Sequence, residues 1–113
     1  MEIYHNPRCS KSREALGLLE NNGVQPTITK YLEDVPTAEE IENLLQKLGL
    51  KAEEIVRKGE KDYKDHFKGK NINDKEWIAA FQKYPKLIER PIFIVGDKAV
   101  IGRPPEKVLT LIK

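Results

Sequence analysis

A single cysteine, Cys9, stands in the segment His5-Asn6-Pro7-Arg8-Cys9-Ser10-Lys11-Ser12-Arg13, where a short apolar run gives way to a helical pattern. Backbone N–H groups at a helix start have no partner within the helix and favour an anion. A thiol placed there is biased towards thiolate, the nucleophilic form. Arg8, Lys11 and Arg13 add positive charge close by, and His5 precedes the turn near enough to reach the sulfur. The alternative, a small buried hydrophobe, is seldom ringed by charged neighbours.

Other uses of Cys9 fail on residue type or spacing. A zinc site needs about four ligands at short spacing, and the chain offers one cysteine with His5 and His66 far apart. A self-contained dithiol needs a second cysteine, and the third position after Cys9 holds Ser12. Any redox cycle must therefore borrow its second sulfur from another molecule. A phosphatase-type anion loop would carry an arginine where Ala15 stands.

Three arginines have the chemistry for a tetrahedral oxyanion, because a guanidinium fork binds one in bidentate fashion. They are Arg57, Arg90 directly before Pro91, and Arg103 directly before Pro104-Pro105. Arg90 and Arg103 flank a hairpin pattern, whose ends can aim side chains towards the start of the first helix. Spacing alone does not show that the three converge, and each taken singly reads better as an ordinary surface arginine.

The elements that position these residues follow from pattern. Met1–His5 reads as a strand ended by Asn6-Pro7, and a helix follows with Ala15, Leu16, Leu18 and Leu19 on one stripe and Gly23 at its end. Thr27–Leu32 alternates as a second strand, which makes a β-α-β unit with a parallel, right-handed connection. Thr37 with Glu40 and Asn73 with Glu76 are capping boxes opening helices, with a short helix over 52–57 between them. Lys58–Lys70 reads as loop or frayed helix with a solvated charged face. Pro91–Val95, Gly96-Asp97 and Ala99–Ile101 form an antiparallel hairpin, and Pro104-Pro105 opens a final helix with Val108, Leu111 and Ile112 inward.

Composition bounds the class. At 113 residues one domain spanning 1–113 is expected. Hydrophobic residues at 39% and charged residues at 34%, with mean hydropathy −0.59, fit a solvated globular chain without a membrane span. No signal-peptide pattern opens the sequence, and one lone thiol suits a reducing compartment, so a cytoplasmic location is expected. Twenty basic against eighteen acidic residues give a net charge of +2, too even for a nucleic-acid binder.

The segment from Tyr4 to Arg13 resembles the active-site motif of the glutaredoxin-dependent arsenate reductases, His-Asn-Pro-x-Cys-x-x-Ser-Arg. The resemblance continues through Pro26-Thr27-Ile28, Tyr31-Leu32-Glu33, Ile55-Val56-Arg57-Lys58, Glu89-Arg90-Pro91-Ile92 and Gly102-Arg103-Pro104. It implies an α/β chain with a thioredoxin-like four-stranded mixed sheet and a helical insertion. Cys9 then takes the nucleophile's position, while His5 and Ser12 help hold it as thiolate. Arg57, Arg90 and Arg103 take the places that grip the arsenate oxygens, and Pro91 that of a cis-proline at the site. The implied cycle runs through a thiol-arsenate adduct, with glutathione as co-substrate and glutaredoxin as partner. No metal and no bound cofactor are implied, and a monomer is expected.

Two further readings share this fold. One is a thiol-dependent reductase with another substrate; the other is an Spx-type redox regulator acting on RNA polymerase. Such regulators commonly carry a Cys-x-x-Cys switch, which Ser12 removes here, and the three arginines favour an oxyanion.

Overall fold

The computed structural model describes residues 1–112. The chain divides into two compact units, one formed by Met1–Asp34 with the C-terminal stretch from Arg90, the other by Val35–Glu89. The second is thus inserted into the first between its second and third strands.

The first unit is a four-stranded mixed sheet. Strand β1 (Glu2–Tyr4) lies parallel to β2 (Thr27–Thr29) and antiparallel to β3 (Ile92–Val95), and β3 pairs with β4 (Lys98–Ile101), giving the order β2-β1-β3-β4. This is the thioredoxin-like arrangement expected. Helix α1 (Ser10–Asn21) makes the crossover from β1 to β2 and turns Ala15 and Leu19 onto a core with Ile3, Phe93 and Val108. β3 is apolar at every position because it is a central strand, with Ile92, Phe93 and Ile94 all buried. Gly96, at φ +60°, turns the hairpin into β4.

Three local expectations change. β2 stops at Thr29 rather than Leu32, because the chain turns there, with the Asp34 N–H donating to the Lys30 carbonyl at 2.8 Å. Tyr31 is consequently fully buried and stacks on Tyr4 with centroids 6.0 Å apart. The closing segment, Pro105–Leu111, is a 3₁₀ helix that buries Val108 but leaves Leu111 and Ile112 only half-buried. Expected as a short helix over 52–57, the chain instead forms a 3₁₀ turn over Ala52–Ile55.

The second unit is helical. Helix α2 (Ala38–Leu48) starts at the Thr37/Glu40 capping box and ends at Gly49, whose φ of +69° is the left-handed conformation glycine adopts without cost. Helix α3 (Lys61–His66) gives the Lys58–Lys70 segment a regular core, and α4 (Asp74–Lys83) begins at the Asn73/Glu76 capping box. α4 buries Trp77, Ile78, Ala80 and Phe81, and packs against α2 and the turns at Ala52–Ile55 and Pro85–Leu87. A single bridge pairs Val56 with Ile88.

Candidate active site

The turn between β1 and α1 is built around Asn6. Its side-chain oxygen accepts from the Arg8 N–H at 3.0 Å, and its carbonyl accepts from the Cys9 N–H at 2.9 Å. Its own N–H reaches the Ser12 hydroxyl at 3.4 Å. An Asx turn of this kind competes with helix and so delays α1 until Ser10. Arg13 closes the turn from the far side, its Nη1 donating to the Pro7 carbonyl at 2.8 Å. The sequence marks Asn6-Pro7 only as a strand stop; its part in shaping the thiol's surroundings is visible only in these bonds.

Cys9 is left as the N-cap of α1, in extended conformation, half-buried, with its carbonyl accepting the first helical N–H from Arg13 at 3.1 Å. Burial pushes its thiol up, but this is more than offset. The Ser12 N–H, a hydrogen bond from Arg90, the Ser12 hydroxyl and the Arg90 charge together hold the pKa below the ordinary thiol value. Arg103 adds its Nη2 at 3.9 Å from the sulfur. Ser12, with no exposed surface, is thus fixed between the Asn6 amide and the thiolate.

Arg90 and Arg103 come from the two ends of the β3–β4 hairpin. The Gly102 N–H donates to the Pro91 carbonyl at 2.8 Å, which extends the hairpin pairing by one rung. The Arg103 Nε donates to the Arg90 carbonyl at 2.7 Å. The Arg90–Pro91 bond is cis, as expected, and so is Arg103–Pro104. Gly102 is required by space: a Cβ there would meet Pro91 Cγ at 2.9 Å and Val108 Cγ1 at 3.0 Å. Its place between the last strand residue and Arg103 was the available signal for this role.

The remaining expected residues stand differently. His5 is buried, 6% exposed, and its main-chain N–H bonds the Thr29 carbonyl at 2.9 Å. Its Nδ1 has no hydrogen-bond partner. Burial, with the Lys30 and Arg13 charges, lowers its pKa, so the ring favours the neutral form. The groups that lower the Cys9 pKa are Ser12 and Arg90. Arg57 belongs to the second unit, where its guanidinium faces two carboxylates, Glu60 at 3.5 Å and Glu89 at 3.5 Å. Among the described residues no three His, Cys, Asp or Glu side chains gather as a metal site would require, and no helix is long and apolar enough to cross a membrane.

A thiol with a lowered pKa, placed at a helix start and flanked by two arginines, can attack an electrophilic centre that carries negative oxygens. Residues 4–111 match the model of the ArsC family. The chain belongs to the ArsC family. The protein YfgD of Escherichia coli K12 is 46% identical, over 99% of this chain and 96% of that protein. An arsenate reductase of Haemophilus influenzae is 45% identical, with 97% of each chain covered. The solved structure of an arsenate reductase from Vibrio cholerae superposes with a TM-score of 0.92 at 48% identity, covering 97% of both chains. In this ArsC-family chain, Cys9, Ser12, Arg90 and Arg103 all lie in the sheet-bearing unit.

Proposed function

We propose that this protein reduces arsenate to arsenite with Cys9 as the nucleophile. The carrying observation is the Cys9 thiol, held below its ordinary pKa by Ser12 and Arg90, with the Arg103 Nη2 3.9 Å from the sulfur. The names of the H. influenzae and V. cholerae relatives support arsenate as the oxyanion. In the first step the Cys9 thiolate displaces an arsenate hydroxyl, which takes up a proton from solvent and leaves as water, and forms an S–As(V) bond. The arginines offset the oxyanion charge as that bond forms. Glutathione sulfur then attacks Cys9 Sγ; the S–As bond breaks and its electron pair goes to arsenic, which leaves as arsenite. Glutaredoxin removes glutathione from the resulting mixed disulfide and returns the thiol. An external second thiol is required because the chain has one cysteine.

Arg57 is assigned to the oxyanion by resemblance, and there an arsenate oxygen would compete with Glu60 and Glu89 for the guanidinium. His5 acts as a neutral neighbour of the loop rather than as a cation. A thiol that must stay reduced between turnovers suits a cytoplasmic setting.

The test is arsenate reduction coupled to NADPH consumption, with glutathione and glutaredoxin in one arm and thioredoxin in the other. Turnover in the first arm only, abolished by Cys9→Ser, is expected. Turnover by Cys9→Ser, or equal support from thioredoxin, would refute the mechanism. Oxidised glutathione should add about 305 Da to the protein, reversed by glutaredoxin.

A further inference from the structure

The helical unit carries a concave site that the reaction above does not use. It lies where α3 and the segment after it meet the C-terminal half of α4, and has a volume of about 510 Å³. Pockets for small ligands commonly span roughly 300–1,000 Å³. His66, Phe67, Lys70, Ile72, Lys83 and Tyr84 line it.

Its chemistry is uneven in a way that selects a ligand. Three rings stand at the wall: His66 stacks on Tyr84 with centroids 5.1 Å apart and planes 15° from parallel, and Phe67 meets Tyr84 edge-on at 5.9 Å. His66 is exposed, while Phe67 and Tyr84 are half-buried, so large rings are kept at the surface rather than folded under it. Two cations share the rim. Lys83 Nζ lies 5.5 Å from the centre of the Tyr84 ring, and Lys70 borders the same space. Among the described residues neither lysine forms an ion pair. The one carboxylate on the lining, Glu76, is occupied by accepting the Asn73 N–H at 3.1 Å in the capping box. Trp77, buried, stands 5.2 Å from Phe67 with its Nε1 unpartnered.

We propose that this cavity binds a small planar aromatic anion. Its ring lies against the Tyr84–Phe67 wall, where flat faces and edges contact it favourably. Its carboxylate or sulfonate meets Lys70 and Lys83, which have no acidic partner to displace. An aliphatic acid lacks the first contact and a neutral ring lacks the second. The site is independent of arsenate chemistry and of Cys9.

Trp77 is the chain's single tryptophan, so it gives one indole resonance beside the cavity. Naphthalene-2-carboxylate titrated into ¹⁵N-labelled protein should shift that resonance and the amides of residues 66–72 and 79–84 saturably. Naphthalene-2-methanol and cyclohexanecarboxylate should each bind at least about fivefold more weakly. Lys70→Gln with Lys83→Gln should weaken the carboxylate without affecting the neutral alcohol, and Tyr84→Ala should weaken both ring compounds. Because both lysines are exposed or rim residues, the double variant tests charge without disturbing the core. Shifts that fail to saturate by about 10 mM, equal affinity for acid and alcohol, or shifts centred elsewhere would overturn the proposal.

Discussion

The Arg103 Nε donates to the backbone carbonyl of Arg90 at 2.7 Å, so one arginine is oriented by the main chain of the other. With Nε committed, the Nη groups of Arg103 are the ones left to face the sulfur, and Nη2 does so at 3.9 Å. The division of labour is then testable. We expect Arg90 to act mainly on the resting thiol and Arg103 mainly on the incoming oxyanion.

Arg90→Ala should raise the Cys9 pKa, because it removes both a hydrogen bond and a charge that favour the thiolate. Arg103→Ala, which removes a donor 3.9 Å from the sulfur, should raise that pKa less than Arg90→Ala does, yet lower kcat/KM for arsenate by about 10²- to 10³-fold, the scale for losing one oxyanion donor. Alkylation rate against pH reads the first effect and steady-state kinetics the second. An equal rise of the thiol pKa in both variants would disprove the division.

Arg103→Lys keeps the charge, but its donors all sit on one nitrogen and cannot hold the Arg90 carbonyl and reach the sulfur side from two separate positions as Nε and Nη2 do. Arsenate turnover should fall at least about tenfold, with Cys9 alkylation at neutral pH unchanged.

Ser12→Ala removes a hydroxyl that bonds both the Asn6 amide and the Cys9 sulfur. Two losses should follow together. Stability should drop by about 1 kcal/mol in denaturant unfolding, and the thiol pKa should move up while staying below the free-thiol value, since the Ser12 backbone donor remains.

Gly102→Ala places a methyl 2.9 Å from Pro91 Cγ and 3.0 Å from Val108 Cγ1, both in buried residues. Crowding of this kind costs about 1–3 kcal/mol. Thermal unfolding measures it, and an unchanged midpoint would mean the hairpin end yields without strain.

His5 favours its neutral form in the fold because burial, Lys30 and Arg13 lower its pKa. Below the free imidazole value of about 6.5 the unfolded chain therefore binds more protons than the folded one, and stability falls as pH drops. Urea midpoints compared at about pH 7 and about pH 5 should decline in the natural sequence and decline less in His5→Gln.

Much of this was legible in the residues. Period and capping gave the β-α-β unit, the Thr37/Glu40 and Asn73/Glu76 helix starts and the hairpin, because each rests on local chemistry. The end of β2 at Thr29 was not legible, since Tyr31 continues the strand pattern in sequence and is buried instead by a turn and by stacking on Tyr4. Helix α3 was obscured by its charges; Tyr63 stacking on Trp77, a tertiary contact, supports it. At the site, Cys9 announced itself through its neighbours, whereas the Asn6 Oδ1 and Arg103 Nε bonds to main-chain groups and the lack of room for a side chain at Gly102 depend on how the loops come together, which spacing does not show. His5, expected to help hold the thiolate, is a buried ring whose pKa is lowered by burial and by Lys30 and Arg13, which spacing does not show.

Helix α1 has no hydroxyl or carboxylate at its N-cap; Cys9 stands there, with no acidic residue in the first turn. By linkage, whatever the fold does to favour the thiolate, the thiolate returns to the fold. On the proposed cycle, a sulfur bonded to glutathione can no longer be an anion, and the Ser12 N–H loses the charge it faced. That mixed disulfide should then be less firmly folded at this helix start than the resting thiolate. Release of glutathione would restore what was lost, so the closing step of the cycle would be favoured by order regained at the start of α1.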